Sequence, residues 1–144
     1  MKKMVLAAAL IISVMLAASC KSTPKDVDDQ YRKLYDANTG LDLTGAKYYT
    51  VKSGDTLSDI SRSFYDDGFY YPIIMLASRG VVVNPDKIIP GMELTIPNLE
   101  RNKANANSRK SMKNCLNGYA EIEKKKASPN QGLIDGFRSR AAAL

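Results

Sequence analysis

Few residues in this chain are equipped to do covalent chemistry. The 144 residues contain no histidine and only two cysteines, Cys20 and Cys115. Without histidine, the Ser-His-Asp and Cys-His arrangements and every His-containing zinc site are excluded. The cysteines stand 95 positions apart with no CxxC spacing, which argues against a metal knuckle or a redox pair. Hydrolysis by carboxylates alone needs an acid and a second carboxylate across a cleft. The acidic residues best placed to try, Asp55, Asp66 and Asp67, fall in turn sequences. They could ligate a cation through oxygen, but acidic residues beside a glycine are ordinarily a solvated loop. The chain is therefore read as a binder: not an enzyme, with no metal and no cofactor.

Charge separates the chain into parts. The net charge is +6 overall and near +4 once Lys2 and Lys3 are set aside. Residues 48–98 hold four Lys or Arg against six Asp or Glu, a net of −2, whereas residues 99–144 hold ten against four, a net of +6. A nucleic-acid reader would carry its basic patch on the gripping module. Here the positive charge lies elsewhere, so no nucleic-acid partner is expected.

The elements that must position a binding site follow from spacing. Tyr49 and Val51 alternate with Thr50 and Lys52, a short strand pattern. Ser53-Gly54 is a turn pair, and Thr56 reads as an N-cap with Asp59 three residues on. Leu57, Ile60 and Phe64 give one helical apolar stripe that ends near Tyr65. Pro72 suits the first turn of a second, buried helix over Ile73 to Ala77, with Gly80 as its stop. Asn84-Pro85-Asp86 and Pro90-Gly91 are turns, and Met92, Leu94 and Ile96 alternate into a return strand closed by Pro97. Two strands in β–α–α–β order make an antiparallel pair with both helices on one face.

These residues carry a resemblance. YTVKSGDTL, the Ile60 position, NPDKIIPG and the ELTIP ending resemble the LysM module, a small βααβ domain that binds N-acetylglucosamine-containing glycans. Ser58 stands where many members carry an aromatic, and the DDGFYYP loop is longer than usual. The resemblance implies a groove between the first strand–helix turn and the loop before the last strand. Its site residues would be Gly54, Asp55, Thr56 and Leu57 on one side and Asn84, Pro85, Asp86, Lys87 and Ile88 on the other. Backbone amides at Gly54 and Ile88 would grip the acetamide, and Leu57 and Ile88 would take its methyl. The implied ligand is peptidoglycan or a chitooligosaccharide-like glycan. One bacterial subgroup of the family is linked to potassium binding instead.

The flanks complete the organisation. Lys2 and Lys3, the apolar run from Val5 to Leu16, and Ala17-Ala18-Ser19 before Cys20 form a secretory signal, too short for a confident membrane span. The cysteine after small residues resembles a bacterial lipobox, which implies lipidation at Cys20 and anchoring to a cell-envelope membrane, the outer membrane favoured. Residues 20–47 read as a tether, with Val27, Tyr31, Leu34 and Tyr35 on one face of a short helix and Gly40 as its cap. Residues 99–144 read as a helical hairpin. Met112, Cys115, Leu116, Tyr119 and Ile122 form one stripe, and Leu133, Ile134, Phe137 and Ala141 the other. The second helix would start at Ser128 as N-cap, Pro129 first and Gln131 in the capping-box place. Lys124 to Lys126 read as a solvated helix end.

The predicted architecture is thus α+β: a signal peptide (1–19), a lipidated tether (20–47), a LysM domain (48–98) and a C-terminal helical extension (99–144). The predicted function is a membrane-anchored lipoprotein that holds peptidoglycan without cutting it. The alternatives are an adaptor whose helical tail takes a protein partner, or a cation-responsive LysM protein.

Overall fold

The computed structural model describes residues 23–144. The expected signal peptide and the lipid anchor at Cys20 lie outside the described residues. The elements are α1 (Pro24–Asp36), β1 (Lys47–Thr50), α2 (Leu57–Tyr65), α3 (Tyr71–Ala77), β2 (Glu93–Ile96), α4 (Leu99–Ala104), α5 (Ala106–Lys124) and α6 (Gln131–Ala142), with 3-10 turns at Gly68–Tyr70 and Pro85–Lys87. Among the described residues no helix is long and apolar enough to cross a membrane.

The module is the antiparallel β1–β2 pair with α2 and α3, as its residue pattern predicts. Tyr48 pairs with Thr95 and Tyr49 with Leu94. The Tyr49–Leu94 pair is turned to the core, where Leu94 is fully buried, while Tyr48 stands 68% exposed. Helix α2 is capped by Thr56, whose Oγ1 accepts the Asp59 amide at 3.1 Å. Asp66 then ends it in the left-handed region at φ 56°, which aspartate tolerates better than most residues. Ser78 stops α3 two residues before Gly80 is reached, and its Oγ accepts the Thr95 amide at 2.8 Å, tying α3 to the outer edge of β2.

All of Tyr71 to Leu76 is buried, which a helix lying on a sheet alone would not achieve. The second cover is α5, which packs on α3 from the side away from the sheet. Its predicted stripe, Met112, Cys115, Leu116 and Tyr119, is almost wholly removed from water. Burial pushes the Cys115 thiol up, so it behaves as a small apolar side chain. Helix α1 lies on α5 through Tyr31 and Tyr35, with a capping box formed by Thr23 and Asp26 at its start.

The C-terminal extension differs from a plain hairpin. Asn98 caps an added short helix, α4, and Asn105 caps α5 by accepting the Asn107 and Ser108 amides. Helix α6 starts later than the Ser128-Pro129 signal predicts. Its N-cap is Asn130, whose Oδ1 accepts the Leu133 amide at 3.2 Å, while its own amide donates to Glu123 Oε1 at 3.1 Å. Both Ser and Asn can cap; the buried Glu123 at the end of α5 selects Asn130. Likewise α1 ends at Asp36, and Gly40 is held instead by the Ser108 and Ser111 hydroxyls of α5.

An aromatic seam joins module and helices. Tyr71 meets Tyr119 and Phe137 edge-on at 5.7 and 5.4 Å between centroids, and Phe69 meets Phe137 at 6.2 Å. Phe69 is sandwiched further by the Arg140 guanidinium, 4.5 Å from its ring centre, which also pairs with Asp67 at 2.8 Å. Gly136 makes room for this ring: a Cβ there would lie 2.2 Å from Phe69. In a free helix Gly136→Ala would stabilise by about 1 kcal/mol. Here overpacking reverses the sign, and thermal unfolding is expected to show a net loss of roughly 1–2 kcal/mol. A raised Tm would mean that the seam does not close as described.

Candidate functional site

The site grows from two tight turns. After β1 the chain reverses at Gly54, whose φ of +88° is open to glycine and strained for other residues. Asp55 fixes the turn: its Oδ2 accepts the Lys52 amide and the Tyr49 hydroxyl, each at 2.8 Å. These bonds, the Lys52 amide first, hold the Asp55 carboxyl below the usual carboxylate range. Thr56 then caps α2 and Leu57 turns inward, 6% exposed.

The facing wall is the 3-10 turn Pro85–Lys87. Asn84 starts it by accepting the Asp86 amide at 2.9 Å. The Asn84 side-chain amide donates to Asp28 Oδ1 of α1 at 2.7 Å, and Lys87 Nζ pairs with the other oxygen of the same carboxylate. A second tie comes from the other flank, where Lys126 Nζ lies 3.7 Å from Asp86.

Between the walls lies a groove of about 290 Å³, at the small end of the ~300–1,000 Å³ typical of ligand sites. Asp55, Thr56, Leu57, Pro85, Asp86 and Ile88 line it. The other three predicted residues do not. Gly54 shapes the turn, while Asn84 and Lys87 are engaged by Asp28, so their side chains serve the loop and not a ligand. Ser58, Tyr71 and Leu133 complete the lining. Ser58 leaves the place of an aromatic small, and Tyr71 supplies aromatic surface in the same groove. Leu133 comes from α6, and its apolar spacing in the sequence reads as core with nothing to mark it as groove wall.

The loop aspartates do not assemble. Asp55 is bound into its turn, Asp67 pairs with Arg140, and Asp66 belongs to a different cavity of about 310 Å³ at the far end of α2. That cavity is bounded by Lys47, Phe64, Tyr65, Pro97 and Glu100, and none of the predicted site residues lines it. Among the described residues no group of three or more His, Cys, Asp or Glu is placed to hold a metal ion.

Comparison with known proteins agrees with this architecture. Residues 49–97 match the LysM domain, so the chain carries a LysM domain. It is similar to the potassium binding protein Kbp of Escherichia coli O6:H1, 39% identical over 84 residues, which cover 58% of this chain and 52% of that one. It is also similar to an uncharacterized protein of Deinococcus radiodurans, 36% identical over 87 residues, 60% of this chain and 28% of that one. The chain thus spans about half the length of the first relative and little over a quarter of the second. No solved structure matches.

The clamp on the Pro85–Lys87 wall is sensitive to acid. Hydrogen bonds from Lys87, then Asn84, lower the Asp28 carboxyl below its ordinary value of 3.8. A lowered carboxyl stabilises the fold above that value, and the contribution is lost as pH falls through the lower folded pKa. In an NMR titration the amides of Asn84, Asp86, Lys87 and Ile88 are expected to move together with a midpoint below 3.8. The Asp28→Asn variant should abolish that transition, and a persisting one would remove Asp28 from the clamp.

Proposed function

We propose that this chain is a non-catalytic, potassium-responsive binding protein built on a LysM module. The observation that supports this reading is the 39% identity to a potassium binding protein over 84 residues. The matched module, residues 49–97, is much shorter than that stretch, so the likeness takes in flanking chain as well as the domain. Potassium is a single charge whose hydration shell is replaced well by carbonyl and hydroxyl oxygens. A surface with no cluster of three ionised ligands among its described residues suits such an ion better than a transition metal.

A second reading is favoured by the groove: an N-acetylglucosamine-containing glycan such as peptidoglycan. Leu57 and Ile88 line the groove and offer an apolar place for the acetamide methyl. Single-site affinity of this kind is micromolar to millimolar, about −8 to −4 kcal/mol. Lipidation at Cys20 in a cell-envelope membrane belongs to this reading, because tethering raises the effective concentration of a weak site. The apolar stripe of α5, Met112, Cys115, Leu116 and Tyr119, is buried within this chain and so is not the surface that an adaptor would offer a partner.

Thermal unfolding of the full chain in potassium chloride against sodium chloride at equal ionic strength tests the first reading. At tenfold excess over Kd, potassium should stabilise by about 1.4 kcal/mol, roughly 3–6 °C in Tm. An identical Tm in the two salts overturns it. Retention on purified peptidoglycan, released by soluble chitooligosaccharide, would then support the glycan reading.

A further inference from the structure

The sheet has two outer edges, and the helices close only one of them. Thr95 of β2 donates its amide to Ser78 Oγ at 2.8 Å, and its carbonyl accepts the Ser78 hydroxyl at 3.4 Å. The end of α3 therefore covers the outer edge of β2. The same bonds fix the parity of the ladder. Thr95 turns its backbone groups away from β1, so its partner Tyr48 turns its own away from β2. Val51 donates its amide to the Met92 carbonyl at 2.8 Å and so faces inward, which leaves Thr50 beside it facing outward. The amides and carbonyls of Tyr48 and Thr50 thus lie along the outer edge of β1. Among the described residues they meet no backbone partner.

That edge is also bare. Lys47, Tyr48 and Thr50 of β1 are all exposed, and Tyr48, at 68%, is the most exposed large apolar side chain among the described residues. Open edges are ordinarily guarded by a proline, a bulge or a covering element. β1 holds no proline, and its register with β2 runs unbroken from Lys47 to Thr50.

The occupant follows from the symmetry of the strand. Set antiparallel to itself about a two-fold axis at Tyr49, β1 brings Tyr48 opposite Thr50 of the second copy. These are the two residues whose backbone groups face outward, so each amide meets a carbonyl, and the axis makes the pair twice. Tyr48 gains a β-branched neighbour opposite and the Tyr48 ring of the second copy on the diagonal. Lys47 falls opposite Val51 and Lys52 opposite Ala46, so no like charges are opposed. We infer that the free edge of β1 pairs with the same edge of a second copy, joining two modules in one continuous antiparallel sheet. Two strands alone make a marginal sheet, and the pairing doubles them. An edge of this length is small beside the ~800 Å² per partner of a standard interface, so the association is weak, roughly micromolar to millimolar. β1 runs straight into the Gly54 turn, so the joined sheet carries one groove at each end. The pairing stands apart from either ligand reading.

Sedimentation equilibrium of the full chain over the micromolar to millimolar range tests the pairing, with amide hydrogen exchange read by NMR on the same samples. A monomer–dimer equilibrium is expected, with the Tyr48 and Thr50 amides gaining protection as concentration rises while the Tyr49 amide, held by β2, does not change. Thr50→Pro removes an amide that the β1–β2 ladder leaves unused, and it should weaken the dimer about tenfold or more. Tyr48→Lys sets like charges on the diagonal and should weaken it several-fold. Tyr48 is exposed, so this variant reports even where Thr50→Pro unfolds the chain; the thermal transition of each checks this. A monomer at every concentration overturns the pairing, as does a dimer that neither variant weakens. Protection of Tyr48 and Thr50 that is independent of concentration also overturns it, because a segment of the same chain would then hold the edge.

Discussion

The structure depends on burying α3 from two sides. A module of this size removes a modest share of its surface from water, and a two-stranded sheet covers only one face of a helix. Ile73, Ile74, Met75 and Leu76 are nonetheless fully buried, which requires α5 as a second cover. The aromatic seam makes that cover specific. Each buried ring removes about 150–250 Å² from water, worth roughly 4–6 kcal/mol of transfer before entropy is set against it. Tyr71 and Phe69 belong to the module, Tyr31 and Tyr35 to α1, and Tyr119 and Phe137 to the C-terminal helices. Losing any one partner exposes the others.

The two innermost hydroxyls of this seam, those of Tyr35 and Tyr119, are matched, which fixes how the layers meet. The Tyr35 hydroxyl donates to the Val83 carbonyl at 2.9 Å and pairs with the Tyr119 hydroxyl. This ties α1 and α5 to the loop that leads into the groove wall. The buried side chain of Asn102 does the same for the loop after α1, bonding both the amide and the carbonyl of Asp42. An unmatched buried group costs more than a matched one contributes, so such bonds select one arrangement of the layers more than they add stability.

The module was legible in the sequence because its signals are local. Gly54, Thr56, Pro72 and Pro97 act on neighbours within a few residues, so strand, turn, cap and helix starts could be read directly. The groove was legible only in half. Leu57 and Ile88 follow from the turns that carry them, but Asp28 meets Asn84 and Lys87 across 56 and 59 positions, and no pattern within the chain announces that contact. Leu133 is the same case, an apolar residue in a helical stripe whose exposure to the groove is decided by where α6 docks. The start of α6 misled for a related reason. Ser128 and Asn130 are both competent caps, and the choice falls to Glu123, a tertiary partner.

Magnitudes separate the rigid parts of the site from the part able to respond. The floor of the groove, Leu57 with Tyr71, is continuous with the seam and shares its several kcal/mol of burial. The Pro85–Lys87 wall is held mainly by charge: Asp28 to Lys87 on one flank, Lys126 to Asp86 on the other. Partly exposed pairs of this kind contribute about 0–1 kcal/mol each and weaken with salt. A ligand can only displace a contact weaker than its own differential binding. A weak ligand, ion or sugar, can therefore move the wall but not the floor. The two ties lead to different flanks, so any shift of the wall registers at α1 and at the α5–α6 turn together. The helices that complete the core are thus also the elements that tie the groove wall in place.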